Sequence, residues 1–323
     1  MTPDTRAGLI CLGNLTIDDV VLPNGTERPG SIGGDALYAV LAARPWQSNA
    51  EMVAPVGTDL PDSVRAGIRA AGLSEEGLPA RDRPTIHNRV VYDKQGGREW
   101  TLYNDPSDFD VLSPLPGDIP DGYRRADRIL VSAMALTATE TLIPFLKDKT
   151  AARVAFDPQE DYIVGNEALL TSLVASVDVF MPSEEEVTRL TGLTDWPKAA
   201  RLFSDWGPSV VVIKRGADGT LVYDRERNLE FHLPAYPGAS VVDTTGAGDS
   251  FCGAFMAALG TYPPETAAIA GAAAASFTVS GYGAAPLFET PATAIRARFD
   301  AWVDRTIFKA DADGRMVLTE GQP

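Results

Sequence analysis

The chain has 323 residues, 44 acidic against 28 basic side chains, and a formal net charge of −16. That length admits one large α/β domain or two smaller ones, with a substantial core either way, and the acidic balance argues against nucleic acid or an anionic membrane as the main partner. Two cysteines and two histidines leave no disulfide framework, zinc spacing or Ser-His-Asp triad to build.

The opening stretch MTPDTRAGLICLGN lacks a basic region followed by an apolar core, so no signal peptide is expected. The alanine-rich run Ala267 to Val279 is too short to span a bilayer. A reduced, cytoplasmic setting is the expectation. GLICLGNLTIDDVVL reads as a core strand continuing into a more exposed one. GGDALYAVLAARPW reads as a helix opened by two glycines and stopped at Pro45, and AEMVAPVG as a strand. LPDSVRAGIRAAGL is helical and ends at Gly72. TIHNRVVYD and REWTLYN alternate polar and apolar residues around KQGG, which predicts a half-polar hairpin outside the main sheet.

From Arg125 the rhythm becomes regular. RILVSAMA, RVAFDP, DVFMP and SVVVIKRG are short apolar strands. They alternate with helices in TATETLIPFLKDKT (Thr139 as N-cap), NEALLTSLVASV, SEEEVTRLTG and WPKAARLFSDWG. This alternation predicts βαβ units and a parallel sheet covered on both faces. GTLVYD and LEFHLPA then suggest an antiparallel pair, and the alanine-rich helix near Pro264 is expected to pack deeply. The chain reads as one domain over 1–308, with outlying strands at about 14–32 and 84–106 and a loosely ordered polar tail over 309–323.

VVDTTGAGDSFCGAF, from Val241 to Phe255, carries the chemistry. Gly246, Ala247 and Gly248 allow close backbone approach at the start of a helix, where free N–H groups and the dipole favour an anion. No Lys follows the glycines and Phe251 stands where a third glycine would complete a dinucleotide fingerprint. Asp249 has two readings of equal weight: a helix-dipole partner, or a general base beside an anion-binding turn.

DTTGAGDSFCGAF closely resembles the second signature of the ribokinase-like (PfkB) carbohydrate kinases, through Asp243, Thr244, Gly246, Gly248, Asp249 and Phe251. The resemblance runs from about Gly8 to Arg305. It implies a three-layer α/β/α sandwich with a mostly parallel central sheet and a small β-sheet lid, and an ATP-dependent kinase using Mg²⁺. It implies that Asp249 is the catalytic base and that Gly246, Ala247 and Gly248 form the anion hole.

Further segments resemble the family with departures. Asp18 matches a substrate-contacting acid near the first strand, against the alternative of a lid-surface acid like Asp19. Gly33 and Gly34 match glycines that approach the sugar. Tyr38 stands where many sugar kinases have Asn, which points away from ribose or fructose 6-phosphate read by the usual contacts. Ser183-x-x-Glu186 resembles an N-x-x-E element whose Glu orders magnesium indirectly, and it is also a capping box. Arg215, Gly216 and Thr244 are candidate nucleotide contacts. Potassium is left open around Leu287. The resemblance implies phosphorylation of a hydroxyl on a sugar or sugar-like molecule. A nucleoside kinase and a non-catalytic ligand-binding regulator are the alternatives. The exposed lid edges admit a homodimer.

Overall fold

The computed structural model describes residues 7–93, 98–310 and 316–320. The KQGG turn over 94–97 and parts of both ends, including much of the tail read over 309–323, lie outside the described residues.

The first third supplies β1 (Leu9–Leu12), β2 (Thr16–Val21), β3 (Glu27–Gly33), α1 (Asp35–Ala43), β4 (Ala50–Val53), β5 (Val56–Gly57), α2 (Asp62–Ala70), β6 (Ala80–Arg81), β7 (Ile86–Tyr92), β8 (Arg98–Leu102) and α3 (Ser107–Val111). The regular middle supplies β9 (Arg128–Val131), α4 (Leu136–Lys149), β10 (Arg153–Phe156), α5 (Glu167–Val174), β11 (Val179–Phe180), α6 (Glu184–Thr191), α7 (Trp196–Trp206) and β12 (Val210–Lys214). The last third adds β13 (Thr220–Asp224), β14 (Leu229–Leu233), α8 (Ala247–Ala258), α9 (Pro264–Thr278), α10 (Ala285–Glu289), α11 (Ala292–Arg305), β15 (Thr306–Ala310) and β16 (Met316–Glu320).

Ten strands form one sheet in the order β15-β16-β14-β13-β12-β11-β10-β9-β1-β4. Every pair from β4 to β12 is parallel, whereas β12, β13 and β14 pair antiparallel. The apolar strands are buried on both faces, and their side chains divide with period two. Leu9 and Cys11 of β1 enter one core with α1, α8 and α9, while Ile10 and Leu12 enter the other with α4, α5 and α7. The result is the expected three-layer α/β/α sandwich.

A separate four-stranded sheet, β3-β2-β7-β8, forms the lid. β2 leaves β1 after only three residues, as its sequence suggested. α6 starts on Ser183, whose hydroxyl accepts from Glu186 N at 3.2 Å, and ends at left-handed Gly192. α9 is buried along most of its length, and its alanines let it pack closely on α8. Gly253 carries α8 against α1: a Cβ there would lie 2.0 Å from Ala39 O.

Two local expectations change. Thr139 is not an N-cap; it lies inside α4, and its hydroxyl donates to Ala135 O at 3.1 Å. The helix starts earlier, at Leu136, after Ala135, whose amide donates to Ser113 Oγ at 3.2 Å. The segment after Phe308, expected to be loose, contributes to an antiparallel pair, β15 and β16, that adds to β14 at the sheet edge. Among the described residues no helix is long and apolar enough to cross a membrane.

Candidate active site

The chain order turns back between β1 and β9, and a crevice opens at the carboxyl ends of the strands there. Asn14 follows β1, Ala133 follows β9 and Gln159 follows β10; all three line a cleft of about 310 Å³. Its other walls come from β2, the start of α1, the lid strand β8, and the Thr245–Asp249 turn.

The turn is built by local hydrogen bonds. Asp243 is buried and accepts from Thr245 N at 2.9 Å and Thr245 Oγ1 at 2.8 Å. Gly246 is left-handed at φ 73°, and a Cβ there would meet the Tyr38 ring at 2.4 Å, so both conformation and space demand glycine. α8 begins at Ala247, which puts Asp249 in its first turn, where it lines the cleft. The Ala247 amide makes a long bond of 3.3 Å to Thr244 O. Burial pushes the Asp249 carboxyl up to about 6; Asp157 adds to this, while Lys214 and the residue's own amide oppose it.

Beside the turn lies a buried ionic cluster from three strand ends. Lys214, ending β12, donates to Asp157 Oδ1 at 2.5 Å, and its Nζ would be 3.7 Å from a Cβ on Gly248. Cys252 Sγ donates to the other Asp157 oxygen at 3.2 Å. Glu186 is buried; its carboxylate accepts from Ser183 N at 2.6 Å, completing the capping box. Burial pushes Glu186 up to about 8 and the Asp157 charge adds to this, although Lys214 pulls the other way. The cap and the place beside the Gly246–Asp249 turn thus coexist in one residue.

On the other side Asp18 is buried in β2, while its neighbour Asp19 lies on the opposite face of the strand, where the pairing with β3 shifts register. Asn88 Nδ2 donates to Asp18 Oδ1 at 2.9 Å and Thr16 Oγ1 to Oδ2 at 3.2 Å. Burial raises Asp18 to about 6 despite these two bonds. Asp19 instead meets Gly30 N and His87. Gly33 packs on Asp18 and Thr16, and Gly34, at φ 104°, is the N-cap of α1 and lines the cleft. Tyr38 is 2% exposed and lies under Gly246, so much of its role is to support the turn from below.

The nucleotide candidates are not brought together. Thr244 is exposed, and Thr245 rather than Thr244 lines the cleft. Arg215 sits 5.9 Å over the Trp196 ring and pairs with Asp218 at 3.3 Å. Gly216 is left-handed and faces open space. Four residues that the sequence reading passed over are central here: Asn14, Asp35, Asp157 and Lys214. Asp35 directly follows the two glycines, and Asp157 and Lys214 close strands, so position at a strand or helix end was the available signal.

Among the described residues no three His, Cys, Asp or Glu side chains are placed to hold a metal ion together. Asp157 and Glu186 offer hard carboxylate oxygens beside the turn, which suits Mg²⁺ carried mainly by phosphate and water.

The family model described as "pfkB family carbohydrate kinase" matches residues 18–291. A cytidine kinase from Thermococcus kodakarensis is 32% identical over 256 residues, which cover 77% of this chain and 87% of that protein. A nucleoside kinase from Burkholderia thailandensis, solved with inosine, superposes with a TM-score of 0.73 at 18% identity, covering 91% of this chain and 97% of its own. A ribokinase-like structure from E. coli, solved with ATP and Mg²⁺, gives a TM-score of 0.74 at 19% identity, covering 91% and 99%.

Proposed function

The chain belongs to the pfkB family of carbohydrate kinases, ATP-dependent phosphotransferases with a hydroxyl acceptor, and on that premise we propose how its own residues carry out the transfer. Asp249 takes the proton from the acceptor hydroxyl as that oxygen attacks the γ-phosphorus of ATP in line. The amides of Gly246, Ala247 and Gly248, at the positive end of α8, stabilise charge on the transferring group. Lys214 supplies a fixed buried cation below the same turn. Mg²⁺ supplies further neutralisation of phosphate charge, and Asp157 and Glu186 are the residues that would hold its water shell. Asp18 accepts hydrogen bonds from acceptor hydroxyls. Arg215, Gly216 and Thr244 remain nucleotide-contact candidates around the phosphate end. The single observation carrying this reading is Asp249 in the first turn of α8, lining the cleft beside the Gly246–Gly248 amides.

Within the sugar-like class the acceptor is a nucleoside. Trp100, 44% exposed on β8, and Phe109 give the cleft an aromatic wall on which a base can stack. The relative named for cytidine and the neighbour solved with inosine support this reading. Coupled ADP release over pentoses, hexoses and nucleosides tests it: a free sugar turned over better than every nucleoside refutes the nucleoside assignment. Asp249→Asn tests the base. It is expected to lower kcat by ~10²–10⁴ with nucleotide affinity kept; near-normal kcat refutes it. Two finer points belong to the same proposal. The lid edges β3 and β8 pair with a second copy to give a homodimer, measurable by sedimentation. A reducing cytoplasm is the working compartment, consistent with the buried thiols of Cys11 and Cys252.

A further inference from the structure

Three buried polar atoms at the cleft have no partner: Asn14 Oδ1, Asp35 Oδ2 and the Tyr38 hydroxyl. Unmade hydrogen bonds in a buried site are costly and mark where a ligand's groups belong. Asp35 is the informative one. Its Oδ1 accepts from Asn14 N at 2.9 Å, which fixes the carboxylate in the first turn of α1. Its Oδ2 is packed so closely that a Cβ on Gly13 would lie 2.0 Å away. Burial, with the Asp249 charge second, holds its carboxyl well above the usual range. With Asp18, Glu160 and Asp249 it gives the cleft four carboxylates, and none of the described lining residues is Lys, Arg or His.

We propose that Asp35 is a second acceptor-binding carboxylate, working with Asp18, and that the pair selects uncharged polyhydroxy acceptors over sugar phosphates and sugar acids. Asp18 stands on the lid and Asp35 on the body, so hydroxyls of one acceptor bridge the two. At Asp35 a hydroxyl donates into an oxygen without a partner, and at Asp18 a hydroxyl uses the acceptor capacity left beside the bonds from Asn88 and Thr16. A phosphate or carboxylate on the acceptor brings no donor and adds negative charge to a buried acidic group, which opposes its entry. The proposal rests on Asp249 being the reactive centre of this cleft.

The test uses the full chain as wild type, Asp35→Asn, Asp35→Ala and Asp249→Asn. Probes are cytidine, inosine, fructose with fructose 6-phosphate, and glucose with gluconate. Coupled ADP release gives kcat and KM; calorimetry with a non-hydrolysable ATP analogue gives acceptor affinity independently of turnover. Asp35→Asn keeps an acceptor for the Asn14 amide, so its fold and ATP affinity are expected to hold. The best neutral acceptor is expected to lose about ten- to a hundredfold in KM and Kd, with kcat within about threefold. Wild type is expected to bind each neutral sugar at least about tenfold more tightly than its anionic counterpart, a comparison that needs no variant. Unchanged KM and Kd in Asp35→Asn, preference for an anionic member, or no binding of any neutral probe overturns the proposal. Asp249→Asn that keeps full kcat fails the base assignment alone, because acceptor affinity is read separately.

Discussion

Replacing Lys214 with Met keeps the stem and removes the only cation hydrogen-bonded to Asp157 among the described residues. The side chains are 15% and 4% exposed, so solvent cannot take over. Leaving one partner of a buried pair uncompensated costs about 3–5 kcal/mol. At this chain length about 2 °C of Tm is lost per kcal/mol, giving a fall of roughly 6–10 °C. The kinetic effect has a direction as well. Lys214 pulls the Asp249 carboxyl down, so without it Asp249 rises beyond about 6 and the acid limb of kcat/KM moves to higher pH. Differential scanning calorimetry reads the first effect and a pH-rate series the second. Lys214→Met combined with Asp157→Asn removes both charges and is expected to recover much of the lost stability. A single variant that melts like wild type, or a double variant no more stable than the single, refutes the buried-pair account.

The wild-type kcat/KM is expected to climb tenfold per pH unit on its acid side and level off above about pH 6, where Asp249 is ionised; a flat profile from pH 5 to 7 excludes a base with that affinity for protons. Glu186 has a folded-state pKa of about 8 against 4.5 unfolded, so the fold binds the proton more tightly. Its contribution is present below about pH 4.5 and is lost as pH rises to about 8. Denaturant titrations are expected to show Glu186→Gln flattening that decline while a capping side chain is retained, and rate measurements are expected to show a raised Mg²⁺ requirement. Equal pH slopes and equal Mg²⁺ titrations in both proteins contradict the dual role. Gly246→Ala forces a left-handed alanine against Tyr38, and is expected to lower kcat at least about tenfold and stability by ~1 kcal/mol or more; wild-type values for both show that the turn tolerates a side chain.

What was legible in the sequence was local. The Ser183–Glu186 cap spans four residues, the Gly246–Asp249 turn opens its own helix, and the β13–β14 pair follows from two adjacent alternating runs. Each can be read within one short window. Lys214 and Asp157 are 57 residues apart in the chain, and each looks like the polar end of an apolar strand until the parallel sheet aligns their termini. Asp35 reads as an ordinary acid in a first helical turn; only the packing of Gly13 and Asn14 around it shows a buried carboxylate with an open acceptor. Arg215 shows the converse. The family resemblance suggested a nucleotide contact, and the structure adds what no short window shows, that Trp196 and Asp218 lie against its guanidinium. The strand pairing of the tail escaped because edge pairing depends on β14, more than 70 residues earlier, not on tail composition.

The contact between Gly253 and Ala39 restricts how this molecule can move. With α8 lodged against the α1 backbone at Gly253 and with its Phe251 ring packed on Gly271 of α9, sliding it by a fraction of a turn would drive its side chains into a neighbour. The helix bearing Asp249 therefore behaves as a fixed anvil, and any closing travel has to come from the four-stranded lid. Isotope exchange separates these two mechanical classes. Amide protons in the middle of α8 are expected to exchange only through global unfolding, with the protection of the deepest core, whereas those of β2, β3, β7 and β8 are expected to exchange through smaller openings, slowed further if an acceptor bridges the lid and the body.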